Sequence, residues 1–501
     1  MTDTMTHASA AKAAQGVLPK HRDLYYGGKW HAPRGGYEET WNPATGESLG
    51  MAPNANTADV DAAVKAAHAG FLEWRRVKPL ERAALIRKLS AAIRAHADEL
   101  AMIDTLNGGN PISATRRDVL GGAARMDYMA GLVLELQGNT IPLGENILDF
   151  TVYHPMGVVG SLIAYNHPFS FAASKLGPVL GSGCSILIKA ASQAPLSVLR
   201  MIEIFEGIVP PGVINVVAGG MECGQAIVAH PMIPRITLIG SVPTGRAVAR
   251  AAGDRLKSVE LELGGKNAMI VFPDADIKKA ITGAVAGMNY TWCGQSCMSM
   301  SRLFLHESIH DEVLAGVVEA ASKIRPGLPH DEKTKMGTLV SKQQYDKVKS
   351  YIELGQKEGG KLLIGGKHPA DKELANGHFI EPTIFSGITQ DMRIANEEIF
   401  GPVQSVIKWS DHETMLEQVN RVEYGLTSSI YTENLKTAHQ TASRIDVGYI
   451  WINAFTGPAQ GTPYGGIKQS GYGRNKVLDE MRSNMHIKNI NITLEGTGGG
   501  E

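Results

Sequence analysis

Four short apolar runs decide the fold: VVGSLI at 158–163, ILI at 186–188, VINVV at 213–217 and ITLI at 236–239. Each is rich in β-branched residues and too short for a helix, and helix-length stretches separate them. Strand–helix alternation of this kind predicts a parallel α/β sheet buried on both faces. A second such set begins with AMIVF at 268–272 and continues to about residue 450. Upstream the texture is helical: Val60, Val64, Ala67, Phe71 and Trp74 recur at three- and four-residue spacing. Leu85, Leu89, Ile93 and Leu100 extend that pattern beyond Pro79, and LNGGNP at 106–111 ends it. Two segments, 137–154 and 486–494, alternate like exposed strands and are expected to pair with each other or with a second chain.

Composition excludes several classes. The 501 residues are 43% hydrophobic and 20% charged, an ordinary globular balance, and the length argues for more than one domain. Lysine and arginine number 49 against 50 acidic residues, with no basic stripe, so nucleic acid is not an expected partner. No apolar run approaches the roughly 20 residues that span a bilayer. Four cysteines are too few for a disulfide scaffold and lack paired metal-ligand spacing, which points to a reducing cytoplasm and no metal. Residues 1–22 and the Gly-rich end at 496–501 read as disordered tails.

Several short segments carry chemistry. In GQSC at 294–297, Cys297 sits among small and polar residues, as a nucleophile on a tight loop would, or as a buried core thiol would. Glu262 stands between leucines in LELGGK at 261–266, either exposed at a strand end or desolvated as a general base. In AYNHP at 164–168, Asn166 follows a predicted strand, where its amide could face an oxyanion or merely build a turn. Lys189 ends another strand, and GSVPTG at 240–245 is a Gly-bracketed strand-to-helix turn suited to a phosphate. EEIFGP at 397–402 places a carboxylate and a ring before a Gly-Pro break.

Taken together and in order, LELGGK, GQSC with Arg302 five residues after its cysteine, EEIFGP, and PYGGIKQSGYGR at 463–474 resemble the aldehyde dehydrogenase superfamily, from about residue 25 to about residue 495. The resemblance implies oxidation of an aldehyde to a carboxylic acid with NAD or NADP as acceptor. It implies Cys297 as nucleophile, Glu262 as base for thioester hydrolysis, Asn166 as oxyanion donor, and Lys175 as a lysine linked to proton transfer. Lys189, Ser192, Gly219, Gly240 and Ser241 fall at cofactor positions around the adenosine ribose and pyrophosphate. Tyr165, Glu398 and Phe400 fall toward the nicotinamide. It also implies a Rossmann-like cofactor domain (23–136 and 155–263), a catalytic α/β domain (264–466), and a β-arm (137–154 and 482–495) joining subunits into a homodimer or homotetramer.

Two departures from the family pattern stand out. Ser192 occupies a position where many NAD-preferring relatives carry glutamate; without that carboxylate the 2′-phosphate of NADP is not repelled, so the site should admit NADP. Asn475 stands where glutamate is usual. Substrate-lining positions correspond to Ala123, His167, Ser174, Thr291, Met298, Phe455 and Pro458. The rings that relatives use for quaternary-ammonium substrates are missing at His167, Ser174 and Pro458, and no arginine sits at the lining positions. The expectation is a roomy tunnel for an uncharged aldehyde. The rival readings are a CoA-acylating semialdehyde dehydrogenase, disfavoured by the presence of Glu262, and a non-enzymatic relative, disfavoured by the presence of both Cys297 and Glu262.

Overall fold

The computed structural model describes residues 16–494. Residues 1–15 of the expected N-terminal tail, and the whole of the C-terminal one, lie outside them.

The four apolar runs become strands Val158–Leu162, Ser185–Ala190, Ile214–Ala218 and Arg235–Ile239, and a fifth, Ser258–Glu262, follows. All five are parallel and lie in the spatial order third, second, first, fourth, fifth. The order reverses between Val158–Leu162 and Arg235–Ile239, and ligands of open parallel sheets bind beyond the carboxyl ends at such a switch point. Antiparallel edges complete eight strands: Leu24–Tyr26 and Lys29–His31 on one side, and Gly471–Tyr472 against Ser258–Glu262 on the other. AMIVF opens a second, seven-stranded sheet, with Ala268–Val271 between Arg302–His306 and Thr427–Tyr431. The inner parallel strands of both sheets are almost wholly buried, as their apolar runs require, while the edge strands are partly exposed.

Helices cover the first sheet. Thr57–Trp74 begins in a capping box, with Asn56 accepting from the Asp59 amide while Asp59 reaches back to the Asn56 amide. Ala97–Gly108 stops at Gly109, whose left-handed φ of 80° suits glycine. The break at LNGGNP is therefore real, but it does not end the helical region. Ile112–Gly131 follows at once, starting after Pro111, and packs on Pro168–Gly181. Its many small and charged residues hide the apolar period that betrayed the earlier helices. Segments 147–155 and 485–493 pair antiparallel along their whole length, with Thr140–Pro142 as a third strand.

Candidate active site

The carboxyl ends of the five parallel strands carry Tyr165 and Asn166, Lys189, Gly219, Gly240 and Ser241, and Glu262 in turn. Asn166 is 5% exposed. Its carbonyl accepts from Asn110 Nδ2 at 3.1 Å, and its own amide donates to the Gln295 carbonyl at 3.0 Å. That bond fixes the side chain against the loop of Cys297.

The cysteine loop is a strained, heavily tied turn. Asn289, Cys293 and Gly294 all have left-handed φ, between 52° and 67°. A Cβ on Gly294 would lie 2.1 Å from the Gly401 carbonyl, so the loop rests directly on the Gly401-Pro402 backbone. Gln295 is anchored by the Thr338 carbonyl at 3.3 Å and the Val340 amide at 3.1 Å. The Cys297 carbonyl accepts from Asn267 Nδ2 at 2.7 Å. Cys297 is half-buried, whereas Cys184, Cys223 and Cys293 are buried, and none forms a disulfide. Burial, with Glu262 and Glu398 nearby, pushes the Cys297 thiol up to about 12; a hydrogen bond from Tyr464 pulls the other way.

Glu262 is the last residue of its strand and 6% exposed. Neither carboxylate oxygen has a hydrogen-bond partner among the described residues. Burial pushes its pKa up to about 8, against the pull of Lys175 and the more distant Tyr464 hydroxyl. Lys175 makes no hydrogen bond to Glu262. Its ammonium is held instead by Glu260 at 2.7 Å, Glu480 at 2.9 Å and the Asn475 side chain. Asn475 thus bonds the lysine and, through its backbone, pairs with Tyr464.

On the cofactor side, Lys189 is half-buried and donates to the Ala190 carbonyl at 3.2 Å; burial lowers its pKa. Ser192 is exposed just beyond that strand. Ser241 caps the exposed N-terminus of the helix Val242–Gly253, accepting from the Thr244 amide at 3.4 Å, with Pro243 in the first turn. Glu398 accepts from the Gly265 amide at 3.0 Å, and a Cβ on Gly264 would fall 2.2 Å from its carboxylate. Phe400 takes a left-handed φ of 58° and meets the Tyr165 ring edge-on at 6.1 Å. A half-buried lysine with no acid in ion-pair reach among the described residues, an exposed helix N-terminus and close glycine backbone suit an anionic, hydroxyl-rich ligand such as a dinucleotide.

Among the expected substrate-lining residues, Thr291, Met298, Phe455 and His167 keep exposed surface, while Ser174 and Pro458 are buried. Ala123 requires correction. It is wholly buried in the core with Phe169 and Ala173, and offers a substrate no surface. His167 is bonded to Asp118 at 2.6 Å and flanked by Trp292 at 4.3 Å and Phe171 at 5.4 Å between ring centroids. Rings of neighbouring residues thus gather around His167.

Asp118, Trp292, Tyr464 and Lys476 escaped the sequence reading. Tyr464 lies inside the quoted motif PYGGIKQSGYGR, but one-dimensional spacing does not reveal that it returns to Cys297. Among the described residues no group of His, Cys, Asp and Glu is arranged to hold a metal, and no helix is long and apolar enough to cross a membrane.

Residues 30–490 match the aldehyde dehydrogenase family. An aldehyde dehydrogenase, tropH, of Talaromyces stipitatus is 47% identical over 488 residues, covering 96% of this chain and 95% of its own. The NAD+ complex of an aldehyde dehydrogenase from Bacillus cereus superimposes with a TM-score of 0.93 at 36% identity, covering 98% of this chain and 99% of that one. The indole-3-acetaldehyde dehydrogenase AldA of P. syringae, as a mutant bound to NAD+ and IAA, gives 0.94 at 33% identity, covering 98% of this chain and 100% of that one. The chain belongs to the aldehyde dehydrogenase family. It is an oxidoreductase that oxidises an aldehyde, with a nicotinamide dinucleotide as electron acceptor.

Proposed function

We propose that Cys297, Glu262 and Asn166 carry the reaction, through a thioester on Cys297 that water hydrolyses to the carboxylic acid. The observation that supports this most is the convergence of three separate segments on one buried place. A half-buried thiol and a strand-end carboxylate free of hydrogen bonds both lie beside Tyr464, and Asn166 is tied to the thiol's loop.

In this reading the Cys297 thiolate attacks the aldehyde carbon, and the alkoxide is held by the Asn166 amide and the Cys297 backbone N–H. Bound nicotinamide supplies the hydride acceptor. Glu262, without partners and pushed up to about 8, takes a proton from the water that opens the thioester. Lys175 sits behind it as a positioning charge.

Lys189, Ser192, Gly219, Gly240 and Ser241 would hold the adenosine ribose and pyrophosphate, and Tyr165, Glu398 and Phe400 the nicotinamide side. The substrate is an uncharged aldehyde, with the ring cluster of His167, Phe171 and Trp292 favouring an aromatic one. The cofactor domain (23–136, 155–263) and the catalytic domain (264–466) correspond to the two large sheets. The arm (137–154, 482–495) joins subunits, since its edge strand exposes Ile487 and Ile492 beside Leu148 and Ile141. Four free cysteines fit a cytoplasmic location.

The test of the nucleophile is Cys297→Ala, which should abolish dehydrogenase activity while cofactor still binds; retained activity lost instead in Cys293→Ala would overturn it. For the cofactor, NADP should serve within about an order of magnitude of NAD, a charge-assisted bond to Lys189 contributing about 1.5–3 kcal/mol. Ser192→Glu should then lose NADP activity selectively, measured as kcat/KM for both cofactors.

A further inference from the structure

Tyr464 is buried, and its hydroxyl stands 3.7 Å from Cys297 Sγ. The residue is fixed from several sides. Its backbone exchanges hydrogen bonds with Asn475 at 3.2 and 2.7 Å, and its ring lies 6.1 Å from that of Tyr449. Lys476 places its ammonium 5.3 Å from the ring centroid and donates to the Pro458 carbonyl at 2.9 Å. No carboxylate lies within ion-pair distance of that ammonium among the described residues.

We propose that Tyr464 is a catalytic residue whose hydroxyl donates a hydrogen bond to the Cys297 thiolate, and that Lys476 positions and polarises that hydroxyl from the ring side. This rests on the reading of Cys297 as the nucleophile. A thiolate carries no hydrogen, so in the reactive form the direction is fixed: oxygen donates, sulfur accepts. The proton lost from sulfur passes to solvent, and the phenol keeps its own. Burial and the neighbouring Cys297 and Glu262 raise the Tyr464 pKa well above its usual value, which preserves the donor throughout the working range of the enzyme. The site needs such a donor, because burial and two nearby carboxylates all oppose the thiolate. Lys476 supplies a field of opposite sign on the far side of the ring, beside Arg125. Burial and Arg125 lower the lysine's pKa to about 7, so its field is fullest at and below neutrality. Cation and ring quadrupole attract, and the ammonium makes the phenol a stronger donor.

The experiment needs neither aldehyde nor cofactor. Iodoacetamide alkylation of Cys297 in the full-length protein is followed by mass spectrometry from pH 6 to 11, with Cys297→Ala as the blank. Tyr464→Phe should slow alkylation at pH 8 about 10-fold and move the midpoint to higher pH, the size of one hydrogen bond of about 1.4 kcal/mol. Lys476→Met should slow alkylation in the same direction by about 3-fold at pH 6–7, where the lysine is charged, and Lys476→Arg should retain at least the wild-type rate there. Melting temperature is recorded for each variant. An unchanged alkylation profile in Tyr464→Phe overturns the proposal, whether or not that variant melts earlier. Should Tyr464→Phe not fold, a wild-type profile in Lys476→Met overturns it instead. If Cys297→Ala still oxidises aldehydes, it is the nucleophile reading that fails, whatever the alkylation profiles show.

Discussion

Glu260 and Glu262 stand two residues apart on one strand, so their side chains leave the same face, and both are buried. Their surroundings differ at every other point. Glu260 accepts from Lys175 and from Arg235, each at 2.7 Å; burial alone would raise its pKa, but the two cations outweigh it and the pKa falls. Glu262 accepts from nothing, and burial carries it up to about 8. One strand thus holds a carboxylate locked as an anion and another poised to exchange a proton near neutrality. Burial sets the cost of charge, and partners decide whether that cost is offset.

The largest effect expected from breaking this contrast is on turnover. Glu262→Gln keeps shape and burial but removes the base, and steady-state oxidation should fall about 10²- to 10⁴-fold. A rapid burst of reduced cofactor should survive in stopped flow. Unchanged turnover would remove Glu262 from the mechanism.

Next in size is a stability effect at the other carboxylate. Glu260→Gln leaves Arg235 without its anion and Lys175 with only Glu480, and breaking such a buried network costs about 3–5 kcal/mol. Denaturant titration should show that loss, while Glu262→Gln should not lose stability at pH 8. The sign follows from linkage. A carboxyl whose folded pKa is raised binds its proton more tightly when folded, so its contribution weakens as pH rises from the unfolded value toward about 8. The amide of Glu262→Gln escapes that loss.

The smallest effect is a displacement of the pH profile. Hydrolysis of the thioester should rise with pH along a limb centred near 8, as Glu262 ionises. Glu260 is one of the charges holding that pKa up, and it also screens Lys175. In Glu260→Gln the limb should therefore shift slightly toward lower pH. A shift toward higher pH would show that the two carboxylates are not electrostatically coupled in this way.

Much of this was legible in the sequence where short-range pattern sufficed. Four of the five parallel strands announced themselves as apolar runs, while Ser258–Glu262, with two glutamates among its five residues, did not. The residues at the carboxyl ends were those the motifs had singled out. The helix Ile112–Gly131 was not legible. Its buried face includes Ala114, Thr115, Gly122 and Ala123, which carry too little hydrophobicity to mark a period. The contrast between the two glutamates was equally hidden. Glu260 draws its partners from positions 175 and 235, and only the folded sheet brings them together. Tyr464 escaped for the same reason, being 167 residues from the thiol it meets.

That distance has a temporal meaning. Chains leave the ribosome from the N-terminus at about 5–20 residues per second, so Cys297 is made roughly 10–30 s before Tyr464. The segment from Tyr464 to Asn484 supplies the hydroxyl, Asn475, Lys476 and Glu480, adds a strand beside Glu262, and then runs straight into the outer strand Met485–Thr493. A late-made stretch thus encloses the thiol. A nascent chain carries Cys297 for some seconds before Tyr464 and Lys476 exist to meet it.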